Sequence, residues 1–292
     1  MKIKLAKDVG FCWGVKRALD LALKSSASSK KVYTYGPLIH NENVVEMLKT
    51  KGVEPFQKNK PNLPRKTLLL IRAHGVPPPV RAKLSTSGYG IIDATCPHVK
   101  KSQKIVREYA NKGYQIIIAG DRKHAEVISL VGYARAIKRH PPVVVVSSTQ
   151  EAHSIIKKDW SKLKKKICIL AQSTFQPQIY YQIVAIIKSK IPPDIEMVVL
   201  DTICQAPARR QGAVKDLARK VEAIVVVGDH KSANTTNLTL LARSMKIPAY
   251  QVASASELPT NKLKKYHSIG ISTGTSTPDW LIKEVVAKLT EL

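Results

Sequence analysis

Cys12, Cys96 and Cys204 stand in one recurring register of this 292-residue chain. Each follows a short strand-like run and precedes a segment with helical spacing. Twenty-four residues beyond each lies a glycine that closes the next strand-like run, at Gly36, Gly120 and Gly228. Four residues further come His40, His124 and Ser232, and two more give Glu42, Glu126 and Asn234. The last two copies agree in detail, DATC…GDRKHAE against DTIC…GDHKSAN. Three thiolates brought together suit zinc, or an iron–sulfur cluster with one iron left without a protein ligand. Their spacings of 84 and 108 residues are unlike the closely spaced ligands of ordinary clusters, so only the repeat argues for convergence.

Each third of the chain also has a later strand-like run ending in polar residues. These ends are IRAHGV with His74, ILAQSTF with Ser173 and Thr174, and IGISTGTSTPD with Ser276. His, Ser and Asn side chains, with the N–H groups of strand ends and helix starts, make a good cradle for a diphosphate. If an oxygen must leave, Glu126 is the natural general acid, because a carboxyl in a partly dry pocket holds its proton near neutral pH. Other candidates have plainer readings. Cys168 sits inside the apolar run Ile167–Leu170 and reads as core. His98, His140, His153, His230 and His267 lack the register and read as surface residues, and Glu42 reads as a helix cap.

The elements that must position these groups alternate. β-branched runs such as Thr67–Ile71, Gln115–Ala119, Val143–Val146, Ile167–Leu170, Ile224–Val227 and Ser268–Ile271 are separated by helical patterns. Among these are Val15–Leu23, Val99–Ala110, Ile179–Ile187, Ala213–Val221 and Trp280–Leu289. That alternation predicts an α/β protein with mostly parallel sheets, whose ligands bind beyond the carboxyl ends of the strands. The threefold register predicts three similar α/β lobes, residues 1–96, 97–200 and 201–292, in a closed pseudo-threefold (trefoil) arrangement around one central site.

Composition bounds the rest. With 44% apolar residues, collagen-like and disordered readings fail. The 48 Lys+Arg exceed the 21 Asp+Glu by 27, which suggests anionic partners. Aromatics at 5% are too scarce for nucleic-acid stacking platforms, so nucleic acid is not expected as the main partner. No apolar run is long enough to cross a membrane, the N-terminus lacks a signal-peptide core, and four cysteines are too few for a disulfide scaffold. A cytoplasmic protein, monomeric or homodimeric, is expected.

The segments GFCWGVKRAL, YGPLIHN, IRAHGV, IDATCPHVKKSQ, HAEV, AQSTF, DTICQAPARRQ, VVVGDHKSANTTNL and STGTSTPDW follow one another as in the LytB-type 4-hydroxy-3-methylbut-2-enyl diphosphate reductases. The chain resembles that family over its whole length. The resemblance implies one [4Fe–4S] cluster held by Cys12, Cys96 and Cys204, with one open iron. It implies two-electron reductive loss of the substrate's hydroxyl as water, the last step of the methylerythritol phosphate route to isoprenoids. By motif match, His40, His74, His124, Ser173, Thr174, Ser232, Asn234, Ser276 and the backbone N–H of Ala233 bind substrate. Glu126, with His124 and Ser173, serves the proton transfer. An acidic electron donor such as ferredoxin or flavodoxin would then explain the basic surface.

The chain departs from the family's usual pattern in places. HAEV replaces HPEV, so Ala125 lacks the rigid turn before the acid, and Ser173 replaces a threonine. Pro207 replaces another threonine after the third cysteine, and Ala233 stands where some members have serine. These changes leave open a second reading, a cluster-bearing sensor without turnover.

Overall fold

The computed structural model describes residues 1–27, 31–39, 41–56, 67–138, 142–156 and 166–292. Among them the chain forms three four-stranded sheets, and every pairing described below is parallel. The expected α/β class is therefore observed. The strands are β1 (Lys2–Leu5), β2 (Val32–Tyr35), β3 (Val53–Pro55), β4 (Leu68–Ile71), β5 (Gly90–Asp93), β6 (Gln115–Ala119), β7 (Val143–Val146), β8 (Lys166–Ala171), β9 (Glu196–Leu200), β10 (Ala223–Val227), β11 (Ala249–Val252) and β12 (Ser268–Thr273). The helices are α1 (Trp13–Ser26), α2 (Glu42–Thr50), α3 (Pro78–Ser85), α4 (Pro97–Asn111), α5 (Ala125–Arg135), α6 (Thr149–Ile156), α7 (Pro177–Lys188), α8 (Gln205–Ala218), α9 (Ala233–Ser244), α10 (Thr260–Leu263) and α11 (Asp279–Thr290). The chain divides into two compact units, Met1–Lys58 with Gln205–Leu292, and Asn59–Cys204.

In the first unit a sheet runs β1-β12-β10-β11. The chain's first strand thus completes the sheet of its last segment. All five residues of β10, Ala-Ile-Val-Val-Val, are buried, as a strand covered on both faces requires. Ile224 and Val226 pack with Val214, Leu217 and Leu238 of α8 and α9. Val225 and Val227 point the other way, to Leu281, Val285 and Leu289 of α11. The pair β2–β3 also belongs to this unit.

In the second unit the sheet runs β7-β6-β8-β9. Ile116 and Ile118 of β6 face Val106, Val127 and Leu130 of α4 and α5, together with Cys168 and Leu170. Ile117 and Ala119 face Tyr180, Ile183 and Ile187 of α7. The pair β4–β5 completes this unit. Cys168 is fully buried in this core, as its apolar neighbours suggest, and burial pushes its thiol up to about 12.

Two boundaries differ from the helical patterns read in the sequence. The pattern at Ala213–Val221 belongs to a helix that begins eight residues earlier, at Gln205, directly after Cys204. Pro207 hid this start, but it lies in the first turn, where its missing N–H costs nothing. The helix cap assigned to Glu42 is instead Asn41, whose Oδ1 accepts the Val44 N–H at 3.1 Å. Of the histidines read as surface, His98, His153, His230 and His267 are exposed, and His140 lies outside the described residues. The basic segment Lys162–Lys166 lies mostly outside the described residues, and the basic segment Lys262–Lys265 overlaps the end of α10, with Leu263 buried.

Gly75, one residue after His74, has φ +70°, and a Cβ there would lie 2.4 Å from Gln103 Nε2. That amide donates to Ser129 Oγ at 2.9 Å inside the unit. Gly75→Ala should therefore destabilise the protein by at least about 1–2 kcal/mol from the backbone conformation alone. An unchanged midpoint in urea unfolding would contradict this.

Candidate active site

All three register cysteines use the same backbone bond. Cys12 N–H donates to Thr275 O (2.9 Å), Cys96 N–H to Ala73 O (2.9 Å) and Cys204 N–H to Ser173 O (2.7 Å). Each accepting carbonyl lies just past a strand, β12, β4 or β8, beside the polar residues Ser276, His74 and Thr174. The bond therefore ties each cysteine to the polar strand end next to it. Cys12 and Cys96 are the N-cap residues of α1 and α4, and neither spends its side chain on capping. Cys204 immediately precedes α8. All three are partly exposed, in contrast to Cys168. A helix start is the positive end of the helix dipole, where negative charge is stabilised.

Two of the preceding turns share one device. Asp93 Oδ1 accepts the Thr95 N–H at 2.9 Å, and Asp201 Oδ1 accepts the Ile203 N–H at 3.0 Å. This is why DATC and DTIC recur: the aspartate turns the chain between strand and cysteine. Burial alone would push the Asp93 carboxyl up. Arg81 at 2.7 Å, Lys100 at 2.9 Å and the Thr95 N–H outweigh it and hold the group well below the usual range.

In the second unit, Glu126 is the most buried of the candidates, at 1% exposure in the first turn of α5. Its Oε1 accepts the Ser173 N–H at 2.8 Å, and its Oε2 accepts the Ser173 hydroxyl at 2.6 Å. Burial raises the Glu126 pKa, with the two Ser173 bonds acting the other way. Ser173 thus holds the acid with its N–H and hydroxyl and holds Cys204 with its carbonyl. His124 caps α5 through Nδ1, which accepts the Glu126 N–H at 3.2 Å, so the neutral ring carries its proton on Nε2. His74 meets His124 edge-on, with ring centroids 5.0 Å apart. Thr174 is exposed, and its Oγ1 accepts from Gln172 Nε2 at 2.7 Å.

In the first unit, Ser232 caps α9, with its hydroxyl oxygen accepting the Thr235 N–H at 3.4 Å. Asn234 follows in the first turn. Its Nδ2 is buried and meets no hydrogen-bond partner among the described residues, a donor left over for a ligand. Ser276 is 8% exposed, and its carbonyl accepts from Asn41 Nδ2 at 2.9 Å. His40 lies outside the described residues, and so does the side chain of Ala233. Asn41 and the buried Arg210 were not singled out from sequence. An Asn directly before an apolar helical pattern was the available signal for the first. Nothing in the spacing separates Arg210 from its exposed neighbour Arg209.

The donor set fits an iron–sulfur group in its chemistry: three accessible cysteines at helix starts, backbone-tied to strand ends. Among the described residues no three of His, Cys, Asp and Glu gather closely enough to hold a single ion. Cys12 belongs to one unit, Cys96 and Cys204 to the other.

Parallel sheets with cysteines, a buried acid and polar side chains beyond their strand ends define an α/β protein with an enzyme-type site. The chain belongs to the LytB family, whose pattern it matches over residues 3–290. It is 38% identical over 293 residues to a Clostridioides difficile protein named 4-hydroxy-3-methylbut-2-enyl diphosphate reductase, covering 100% of both chains. It is 36% identical to the protein of that name in Alkaliphilus oremlandii, again covering 100% of both. A solved structure of (E)-4-hydroxy-3-methyl-but-2-enyl diphosphate reductase, the terminal enzyme of the non-mevalonate pathway, superposes with a TM-score of 0.78 at 34% identity over 100% of both chains. The Plasmodium falciparum E-1-hydroxy-2-methyl-but-2-enyl-4-diphosphate reductase gives a TM-score of 0.85 at 26% identity, over 99% of this chain and 88% of that one.

Two predictions follow from α5. The raised Glu126 pKa means that the folded state holds this proton more tightly than the unfolded chain. Its contribution to stability is complete below the unfolded carboxyl value and is lost as pH rises through the folded one. Glu126→Gln should remove that loss, so its stability relative to the parent should climb from pH 4 to neutrality; parallel curves would contradict the assignment. Ala125 occupies the first helical position, and His124 before it has φ −70° and ψ 137°, the conformation a following proline prefers. Ala125→Pro should stabilise the protein by about 0.4–1 kcal/mol in thermal melts.

Proposed function

We propose that this chain reduces (E)-4-hydroxy-3-methylbut-2-enyl diphosphate to isopentenyl and dimethylallyl diphosphate. The C–O bond to the hydroxyl breaks, a C–H bond forms, and two electrons and two protons are taken up as one water leaves. Cys12, Cys96 and Cys204 would hold a [4Fe–4S] cluster, which when bound supplies the electrons and a Lewis-acidic iron for the leaving oxygen.

The chain's own residues supply binding and protons. Ser232, Asn234, Ser276, His74, the Nε2–H of His124 and the backbone N–H of Ala233 donate to the diphosphate, with His40 included by its motif. Thr174, beside Ser173 at the end of β8, joins them by its motif. The diphosphate is remote from the bond that breaks, so these contacts position the substrate rather than react with it. Glu126, whose proton burial holds more tightly than in water, is the acid of this reading, the Ser173 hydroxyl that bonds its Oε2 is the path for the proton, and His124 fixes the start of the helix that carries the acid. The Glu126–Ser173–Cys204 linkage carries this reading, because one residue, Ser173, bonds both the buried acid and a cysteine that would bind the cluster.

We read the chain as three lobes, 1–96, 97–200 and 201–292, with β1 lending its strand to the last. An acidic protein donor is favoured by the net charge of +27. A cytoplasmic place for the reaction is in keeping with register cysteines that form no disulfide. No helix among the described residues is long and apolar enough to cross a membrane.

Anaerobic purification with iron counting, followed by turnover of the diphosphate with a reduced viologen dye, tests the reading. The parent should contain several irons and turn over. Glu126→Gln should keep its iron and substrate affinity and lose about 10²-fold or more in kcat. An iron-free, inactive parent from iron-replete cells would overturn the proposal, and an iron-loaded but inactive parent would favour the sensor reading.

A further inference from the structure

Arg210 is a buried charge without a carboxylate partner among its hydrogen bonds. It lies in the second turn of α8 and is 3% exposed. Its Nη1 donates to Thr273 O at 2.7 Å, Thr273 Oγ1 at 2.7 Å and Gly274 O at 3.0 Å. Its Nη2 donates to Gly10 O. Every one of these acceptors is neutral. Thr273 Oγ1 also accepts the Gly10 N–H at 2.9 Å, so one guanidinium and one hydroxyl fasten the segment before Cys12 to the end of β12. Gly10 itself has φ +81°, and a Cβ there would lie 2.5 Å from Asp279 Oδ1. The joint is therefore closed on both sides, and it sits immediately before the Cys12–Thr275 bond.

Burying a guanidinium among carbonyl dipoles leaves its full positive charge in a medium that screens poorly. Burial opposes that charge, while Cys12 and Asp8 are the acidic groups whose fields sustain it. Asp8 is directed elsewhere: it is partly exposed and lies 3.5 Å from Arg209 Nε. The remaining acidic group is the Cys12 sulfur.

We infer that Arg210 is an electrostatic positioning residue that favours the reduced state of the group held at Cys12. This rests on the cluster reading above. Adding an electron makes the cysteine-bound cluster more negative, and a fixed positive charge nearby stabilises the reduced form more than the oxidised one. The midpoint potential is thereby raised, net charge being one of the levers that set such potentials. The charge needs no proton exchange to act, since a guanidinium stays protonated.

The test is an anaerobic redox titration of iron-loaded protein, read in the visible spectrum without substrate. Arg210→Gln, which keeps amide donors and loses the charge, should shift the reduction equilibrium by about tenfold toward the oxidised form. That is a fall of roughly 59 mV for one electron. Arg210→Lys keeps the charge, and Thr273→Val loosens the joint while leaving Arg210 in place; both should stay close to the parent. An Arg210→Gln protein with the parent's potential overturns the inference. So does an Arg210→Lys protein that falls as far as Arg210→Gln, because geometry would then be the cause. If Arg210→Gln retains no iron, Arg210→Met replaces it, and loss of iron in both overturns the inference, the residue then governing assembly instead of potential. A parent that itself binds no iron defeats the underlying cluster reading instead.

Discussion

The bond from each register cysteine's N–H to the carbonyl at the end of the neighbouring strand is the constraint on which the site depends. It occurs at Cys12–Thr275, Cys96–Ala73 and Cys204–Ser173, between 2.7 and 2.9 Å. A cysteine entering a helix could leave its amide to solvent; here the amide is spent on fixing the sulfur's residue against the strand that carries the polar groups. Moving that strand end moves the cysteine with it. The consequence is clearest at Ser173, whose three polar groups are all committed: N–H and hydroxyl to Glu126, carbonyl to Cys204. The buried carboxyl and the cysteine share one residue as their common reference. The error in their relative placement is then set by one backbone position rather than by the sum of several loops.

The two buried ionisable groups near these cysteines are treated in opposite ways. Glu126 is buried with donors that would favour its anion, yet desolvation wins and its pKa rises. A carboxyl in this state is useful as a source of a proton. Arg210 is buried with acceptors only, and burial acts on it in the same sense, against the charge. A guanidinium cannot yield its proton under physiological conditions, so the charge stays. The same low-dielectric surroundings thus make a carboxyl hold its proton more tightly in one unit and leave a permanent cation in the other.

Much of this was legible in the sequence, and the reason is periodicity. The strands β6, β7 and β10 coincide with their apolar runs to within a residue, and for β6 and β10, buried along their whole length, the reason is that a strand covered on both faces must be almost wholly apolar. The cysteine register was legible because the turn before it is built from residue types with one local job, the Asp of DATC and DTIC. What was not legible depended on contacts distant in sequence. β1 pairs with a strand at the far end of the chain, a partnership its alternating residues cannot specify. Asn41 holds the carbonyl of Ser276 across 235 residues, and Arg210 reaches Gly10 across 200. The start of α8 was hidden by Pro207, since sequence alone does not separate a first-turn proline from a helix breaker.

The excess of positive charge bears on these arguments through distance. The groups assigned to the diphosphate are hydroxyls, amides, imidazoles and backbone N–H groups, each offering direction at short range and little net charge. By contrast the described ion pairs lie mostly on exposed side chains, as with Lys16–Asp20 and Lys112–Glu108. There, water and salt reduce each pair to little, and what survives is the summed field. Such a field raises encounter rates with any anion and cannot choose among anions. Choice therefore has to come from the neutral donors, whose geometry the strand ends fix. A site built from lysines would bind a diphosphate at least as strongly and would hold its reacting end less well, because a flexible ammonium is a point charge without preferred direction. Keeping the lysines on the surface and oriented neutral donors at the strand ends separates attraction from alignment.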